Sequence, residues 1–177
     1  MSEIQIKQLE REKWEGHELE FSYSTDGYYS FDVSDWDFKL KFNPYGKTLN
    51  KKFTDRLFEN WAKGALAFGA FSEGELAGIV EFFSEKWNNR LRITNLLVFE
   101  SFRGKGLGTA LMNKALETGI RIGARMAVLE TQTCNPRAVE FYLKTGFIPI
   151  GFDLFSYSNE DTEKTEVRLE MGKILNR

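Results

Sequence analysis

Arg103-Gly104-Lys105-Gly106-Leu107-Gly108-Thr109 is the stretch of this 177-residue chain best suited to hold an anion. It follows an apolar run from Leu91 to Phe99. It precedes Leu107, Leu111, Met112, Ala115 and Leu116, which recur at helical spacing. A strand that empties through glycines into a helix N-terminus offers amides with no partner inside the helix, plus the positive end of its dipole. Gly104, Gly106 and Gly108 let a phosphate approach the backbone, while Arg103 and Lys105 add full charges. A P-loop needs Gly-Lys-Ser/Thr after four spacers, but Lys105 is followed by Gly106. A dinucleotide fingerprint needs G-x-G-x-x-G, and the spacing here is G-x-G-x-G. Glu130, an acid ending the next strand, weakens that exclusion without removing it. A glycine-rich turn that binds nothing is the plain alternative.

A second group of side chains suits the opposite charge. Between Glu18 and Asp37 the chain carries Glu18, Glu20, Asp26, Asp32, Asp35 and Asp37 and no Lys or Arg. Tyr23, Tyr28, Tyr29, Phe31, Trp36 and Phe38 are interleaved with them. Acids and aromatic faces together attract a cation. A hairpin with one packed face and one wet acidic face explains the same pattern.

The elements that must position these groups are legible in outline. Ile4 and Ile6 alternate with polar residues in a first strand to Leu9. Leu19, Phe21 and Tyr23 begin a second, Thr25-Asp26-Gly27 reads as a turn, and Tyr28 to Val33 returns. Leu49, Phe53, Leu57 and Trp61 sit four apart and predict a helix over 47–63, stopped by Gly64, with Lys47, Lys51, Lys52, Arg56 and Lys63 on its wet side. Ala65 to Phe71, Leu76 to Trp87 and Arg90 to Phe99 form an antiparallel meander turned at Glu73-Gly74-Glu75 and Asn88-Asn89. After the site helix come a strand at Met126 to Glu130, a helix opened by Asn135-Pro136 and stopped by Gly146, and strands at Phe147 to Tyr157 and Glu166 to Leu175. No linker or repeat appears, so one domain of mixed α+β type is expected over 1–177, with an acceptor side at 1–64 and a ligand-binding core at 65–177.

Composition narrows the function classes. A net charge of −2 gives no basic excess for nucleic acid. No apolar run reaches membrane-spanning length and no signal-peptide pattern opens the chain, so a cytoplasmic location is expected. One cysteine, Cys134, excludes an internal disulfide; with one histidine, His17, it leaves no set for structural zinc. His17 is read as a surface residue. Cys134 lacks a base to make it a nucleophile.

Arg103-x-x-Gly106-x-Gly108 resembles the acyl-CoA pyrophosphate loop of the GNAT family of N-acetyltransferases. Leu129-Glu130-Thr131 closing a strand, Asn135 opening a helix, and Ala138-x-x-Phe141-Tyr142-x-x-x-Gly146-Phe147 match the same pattern in order. The resemblance spans roughly 65–177. Gln132, Asp153, Tyr157, the Trp87-Asn88 turn and Phe102-Arg103-Gly104 are further similar to the streptothricin acetyltransferases. It implies a three-layer α/β/α fold whose mixed, mostly antiparallel sheet splays after the fourth strand. Acetyl-CoA would be the co-substrate, its pantetheine arm along Leu97, Val98 and Phe99 and its pyrophosphate on Arg103 to Thr109. The acceptor would be a small cationic amine, possible candidates being streptothricin, a polyamine, another amino-sugar antibiotic or a protein amine. Dimers are frequent in this family, so a homodimer is among the expectations; the residues themselves show no interface.

Roles follow from the resemblance and from acid–base chemistry. Tyr142, the tyrosine of the Phe-Tyr pair, would protonate the departing thiolate, or else only pack its helix. Many relatives carry a basic carboxylate on the strand before the loop, where this chain has Thr94 and Asn95. The remaining candidates are Glu130 first, then Glu81, then Asp153; each could instead be a paired or exposed carboxylate. Asp32, Asp35, Trp36, Asp37, Glu130 and Asp153 would face the cationic acceptor. Asn135 would touch the CoA arm, cap its helix, or do both. Backbone N–H near Val98 would hold the oxyanion. The missing acids at 94 and 95 also fit a CoA-binding sensor without turnover.

Overall fold

The computed structural model describes residues 4–34 and 37–175. Along the chain run β1 (Ile4–Leu9), α1 (Arg11–Trp14), β2 (Glu18–Ser34), β3 (Asp37–Arg56), β4 (Leu66–Ser72), β5 (Glu75–Glu85) and β6 (Arg90–Val98). A 3₁₀ turn (Glu100–Phe102), α2 (Leu107–Arg121), β7 (Met126–Gln132), α3 (Pro136–Lys144), β8 (Ile148–Asp153) and β9 (Arg168–Ile174) follow. They form two compact units. The first takes in the described residues of Met1–Phe21, Thr54–Val128 and Ile174–Arg177; the second is Ser22–Phe53 and Leu129–Lys173.

In the first unit the hydrogen-bonded order is β1-β4-β5-β6-β7. The first three pairings are antiparallel. The last is parallel and runs only from Arg90↔Met126 to Arg92↔Val128. The β4–β5 hairpin turns through Glu73 and Gly74, both at positive φ, as a tight hairpin turn requires. The helix α2 packs on β4, β5 and β6 through Leu107, Leu111, Met112, Ala115 and Leu116, all buried.

β5 and β6 lose register in one place. Phe82 pairs with Ile93 and Glu81 with Asn95, so Thr94 is an extra residue on β6. Such a bulge exchanges the faces to which alternate residues point. Before it, Leu91 points to the α2 side, in contact distance of the Cβ position of Gly119. On that same side Leu111 Cδ1 would lie 3.1 Å from a Cβ at Gly78. After the bulge, Asn95 and Leu97 share the register of Glu81 and Ile79. Ile79 and Leu97 belong to the other packed layer, with Leu57, Phe58, Ala62 and Ala65.

In the second unit β2 and β3 form a two-stranded ribbon, and β7-β9-β8 are hydrogen-bonded in that order, β8 and β9 antiparallel. The sequence expectation of a turn at Thr25-Asp26-Gly27 is not met: β2 passes straight through. Gly27 serves cross-strand packing instead, since a Cβ there would come within 2.5 Å of Asn43 O and of the Phe42 ring. The expected helix over 47–63 is also absent; β3 extends to Arg56. A spacing of four fits a period of 2 as well as one of 3.6. Asn43, Tyr45, Leu49, Lys51 and Asp55 alternate as the less exposed positions, the mark of a strand. Lys51, read as solvated, is ion-paired with Glu166 at 2.7 Å. β8 ends at Asp153, short of the expected Tyr157. Among the described residues no helix is long and apolar enough to cross a membrane.

Candidate active site

The glycine loop in the first unit has the geometry an anion requires. Gly104 and Gly106 stand at φ of 77° and 80°, with open space where a Cβ would project. Gly106 is the N-cap of α2 and supplies no side chain to the first amides of Leu107, Gly108 and Thr109. Arg103 and Lys105 are exposed beside them. Arg103 Nε donates to Val98 O at 3.1 Å, and Lys105 Nζ lies over the Phe102 ring at 5.1 Å. The ladder between β6 and β7 ends at Arg92↔Val128, before Leu97 and Val98. Phe99 N donates to Ala77 O at 3.0 Å. These features fit a nucleotide pyrophosphate on the loop. Gly106→Ala forces a side chain into left-handed backbone at a cost of about 1–2 kcal/mol. The acetyl-CoA dissociation constant is expected to rise about tenfold. Isothermal calorimetry reads this directly.

Glu81 on β5 is an enclosed carboxylate, with 1% of its surface exposed. Phe58 N donates to Oε1 at 2.6 Å; Thr94 Oγ1 and Asn95 Nδ2 donate to Oε2 at 2.6 and 3.1 Å. Two consecutive residues of a regular strand would point to opposite faces. The bulge at Thr94 brings both to one carboxylate. Phe58 has a φ of 59°, rare for a bulky residue, and the bond to Glu81 helps fix it. Arg11 stacks on the Phe58 ring at 4.6 Å and donates to Phe58 O at 3.2 Å. The positions where relatives are expected to carry a base are thus occupied by donors that hold a carboxylate of the neighbouring strand.

The other expected residues lie in the second unit. Asn135 caps α3, its Oδ1 accepting from Ala138 N at 3.2 Å, and Pro136 opens the helix. Tyr142, also on α3, contacts Phe141 and Phe147 with ring centroids 5.6 and 6.1 Å away. Burial pushes its phenol up to about 12. Glu130 on β7 is exposed and engaged. Arg168 Nη2 lies 2.8 Å from Oε2, and the Tyr157 hydroxyl donates to Oε1 at 3.3 Å. Both oxygens of Glu130 therefore already have a protein partner. Asp32 on β2 is exposed; Asp37 on β3 pairs with Lys39 at 2.6 Å; Asp153 accepts from Phe155 N at 3.0 Å. Asp35 and Trp36 lie outside the described residues. Cys134 is fully buried, and burial pushes its thiol above the ordinary value, away from nucleophilic use.

Sequence reasoning missed Phe58 and Asp55, because both fell inside the expected helix. The signal was available: no apolar residue stands at the third or seventh position after Leu49, where a helix face needs one.

The family model described as Acetyltransferase (GNAT) family matches residues 30–147. A streptothricin acetyltransferase of Streptomyces lavendulae is 31% identical over 155 residues, 82% of this chain and 81% of its own. A nourseothricin acetyltransferase crystal structure superposes with a TM-score of 0.78 at 26% identity, over 97% of this chain and 98% of that one. A Bacillus anthracis protein solved with acetyl coenzyme A has a TM-score of 0.77 over 98% of both chains; at 20% identity it bears on the fold alone. The meander, the glycine loop at the head of α2, and the Asn135-to-Phe147 segment are therefore parts of one inherited pattern, and the chain belongs to the GNAT family as an acetyl-CoA-dependent N-acetyltransferase.

Proposed function

We propose that this enzyme acetylates a primary amine of streptothricin and thereby protects a cell from it. The observation that carries the reading is the 31% identity, across four-fifths of each chain, with the S. lavendulae enzyme of that name. The exposed carboxylates of Asp32, Asp37, Glu130 and Asp153 support a cationic acceptor. The amine arrives as an ammonium. A lysine-like amine sits about 3 units above neutral pH, so freeing its lone pair costs on the order of 4 kcal/mol. A base in the site is therefore worth a large rate factor. Tyr142 is the proposed donor to the departing thiolate.

The test is acetyl-CoA-dependent thiol release with streptothricin, spermidine and a lysine peptide in parallel. Turnover with streptothricin alone, together with growth of expressing cells on the antibiotic, is the expected result. Turnover with a different amine keeps the transfer chemistry and discards this acceptor. Silence with all three beside tight acetyl-CoA binding rejects the streptothricin reading.

A further inference from the structure

Asp55 is the last residue but one of β3, and it is half-buried. Arg56 N donates to its Oδ1 at 2.7 Å, and the Asn95 side-chain amide lies beside it. Asn95 is itself 3% exposed, and its Nδ2 reaches Glu81 Oε2 at 3.1 Å. One amide thus stands between two carboxylates, Glu81 sealed within the sheet and the half-buried Asp55. An acid at 95 would put three carboxylates together, whereas an amide gives each neighbour a proton to hold.

The surroundings of Asp55 suit an ammonium. An open concavity of about 510 Å³ begins at the adjoining Arg56 and is lined by Glu15, Phe58, Glu59 and Trp61 among others. The Trp61 indole stands edge-on to Phe83 and donates to Glu59 Oε2 at 2.6 Å. The groups that face Asp55 are Glu59 from the 57–65 loop, Glu81 from β5, Asn95 from β6 and the Arg56 N–H of its own strand. The Arg56 guanidinium is directed to Glu18, 3.6 Å away. On β6, Asn95 precedes Val98 by three residues, about 10 Å of strand. That puts Asp55 on the approach to the expected acetyl position.

We propose that Asp55 accepts the proton of the incoming ammonium, and that Glu81, acting through Asn95, is the positioning residue that aims it. Burial, with Glu59 and Glu81 nearby and against the Arg56 N–H and the neighbouring Asn95 amide, holds Asp55 above the usual carboxylate value. That shift moves it toward the range in which a base works best. In the step, an N–H bond of the ammonium breaks and an O–H bond forms on Asp55. The freed nitrogen pair bonds to the acetyl carbonyl carbon. The C–S bond then breaks with its pair on sulfur, the thiolate takes the Tyr142 proton, the second nitrogen proton restores that phenol, and Asp55 passes its proton to water. Amide, thiol and one proton result.

The inference rests on amine acetylation and not on streptothricin as the amine. It is tested with whichever of the three amines turns over fastest, or with propylamine if none does. With Asp55→Asn, kcat/KM at pH 7 is expected to fall 10²- to 10³-fold, the range of general-base catalysis. It should then climb about tenfold per pH unit toward the amine pKa, because only pre-formed free amine reacts; the parent stays flat above the Asp55 pKa. An alkoxyamine acceptor, already neutral at pH 7, should lose no more than about threefold, since it needs no base at that step. Acetyl-CoA affinity, measured on the same protein, should be unchanged. Glu81→Gln should lose about tenfold yet keep the flat profile of an enzyme whose base is intact. Parental activity in Asp55→Asn, or an equal loss at every pH and for both nucleophiles, overturns the proposal. A sloping profile in Glu81→Gln instead makes Glu81 the acceptor.

Discussion

Glu81→Ala is expected to cost about 3–5 kcal/mol of folding stability, a large part of what a domain of this size has. Three donors converge on the Glu81 carboxylate: the buried amide of Phe58, the Thr94 hydroxyl and the Asn95 amide. Alanine leaves all three facing a space that their former partner filled. Each buried donor then carries its own desolvation penalty, and the small cavity adds to it. The Phe58 backbone, at positive φ, loses the bond that helps to fix it. Thermal unfolding is the measurement, with a melting temperature roughly 10 °C lower. Glu81→Gln keeps the shape and should lose less than half as much. An alanine variant that melts with the parent would mean that the three donors find water, and that the carboxylate is not structurally required.

Tyr142→Phe is expected to lower kcat about 100-fold with the KM for acetyl-CoA unchanged, the signature of a group acting only in the transition state. Phenylalanine keeps the ring and its contacts with Phe141 and Phe147, so packing alone predicts no loss. With its pKa pushed up to about 12, the phenol holds its proton through the whole neutral range. Any fall in parental activity between pH 8 and 10 therefore has another source, and Tyr142→Phe should leave that limb where it is. The same shift has a stability sign. The folded phenol titrates above the unfolded one, so from pH 10 upward the unfolded state loses its proton first. Stability contributed by the neutral phenol is complete below pH 10 and is lost as pH rises toward about 12.

What could be read from the chain depended on how far apart the interacting residues are. The glycine loop and α2 were legible because Gly104, Gly106 and the Leu107-to-Leu116 periodicity are local signals. So was Asn135, whose cap partner is three residues away. The two hairpins of the meander were equally local. β3 was not legible, since a residue every four positions satisfies two periodicities, and only pairing with β2 decides between them. The Glu81 constellation draws on Phe58, Thr94 and Asn95, set by a loop and a register shift. No spacing within one segment encodes that. An acid inside the apolar run Ile79-Val80-Glu81-Phe82-Phe83 was the available hint, and it ranked below an acid in a recognised motif.

The extra residue at Thr94 has a consequence for recombining this chain with its relatives. Leu91, Ile93, Asn95 and Leu97 look like one unbroken odd-numbered stripe, yet the first two serve the helix layer and the last two the opposite layer. A crossover chosen by matching hydrophobic letters could drop one residue of β6 and still look faultless on paper. Its far half would then arrive inverted, with leucine presented where the amide belongs. Length, more than identity, is the inherited instruction in this strand: a donor segment of poor similarity but equal count would preserve the layering that a near-identical segment one residue shorter destroys.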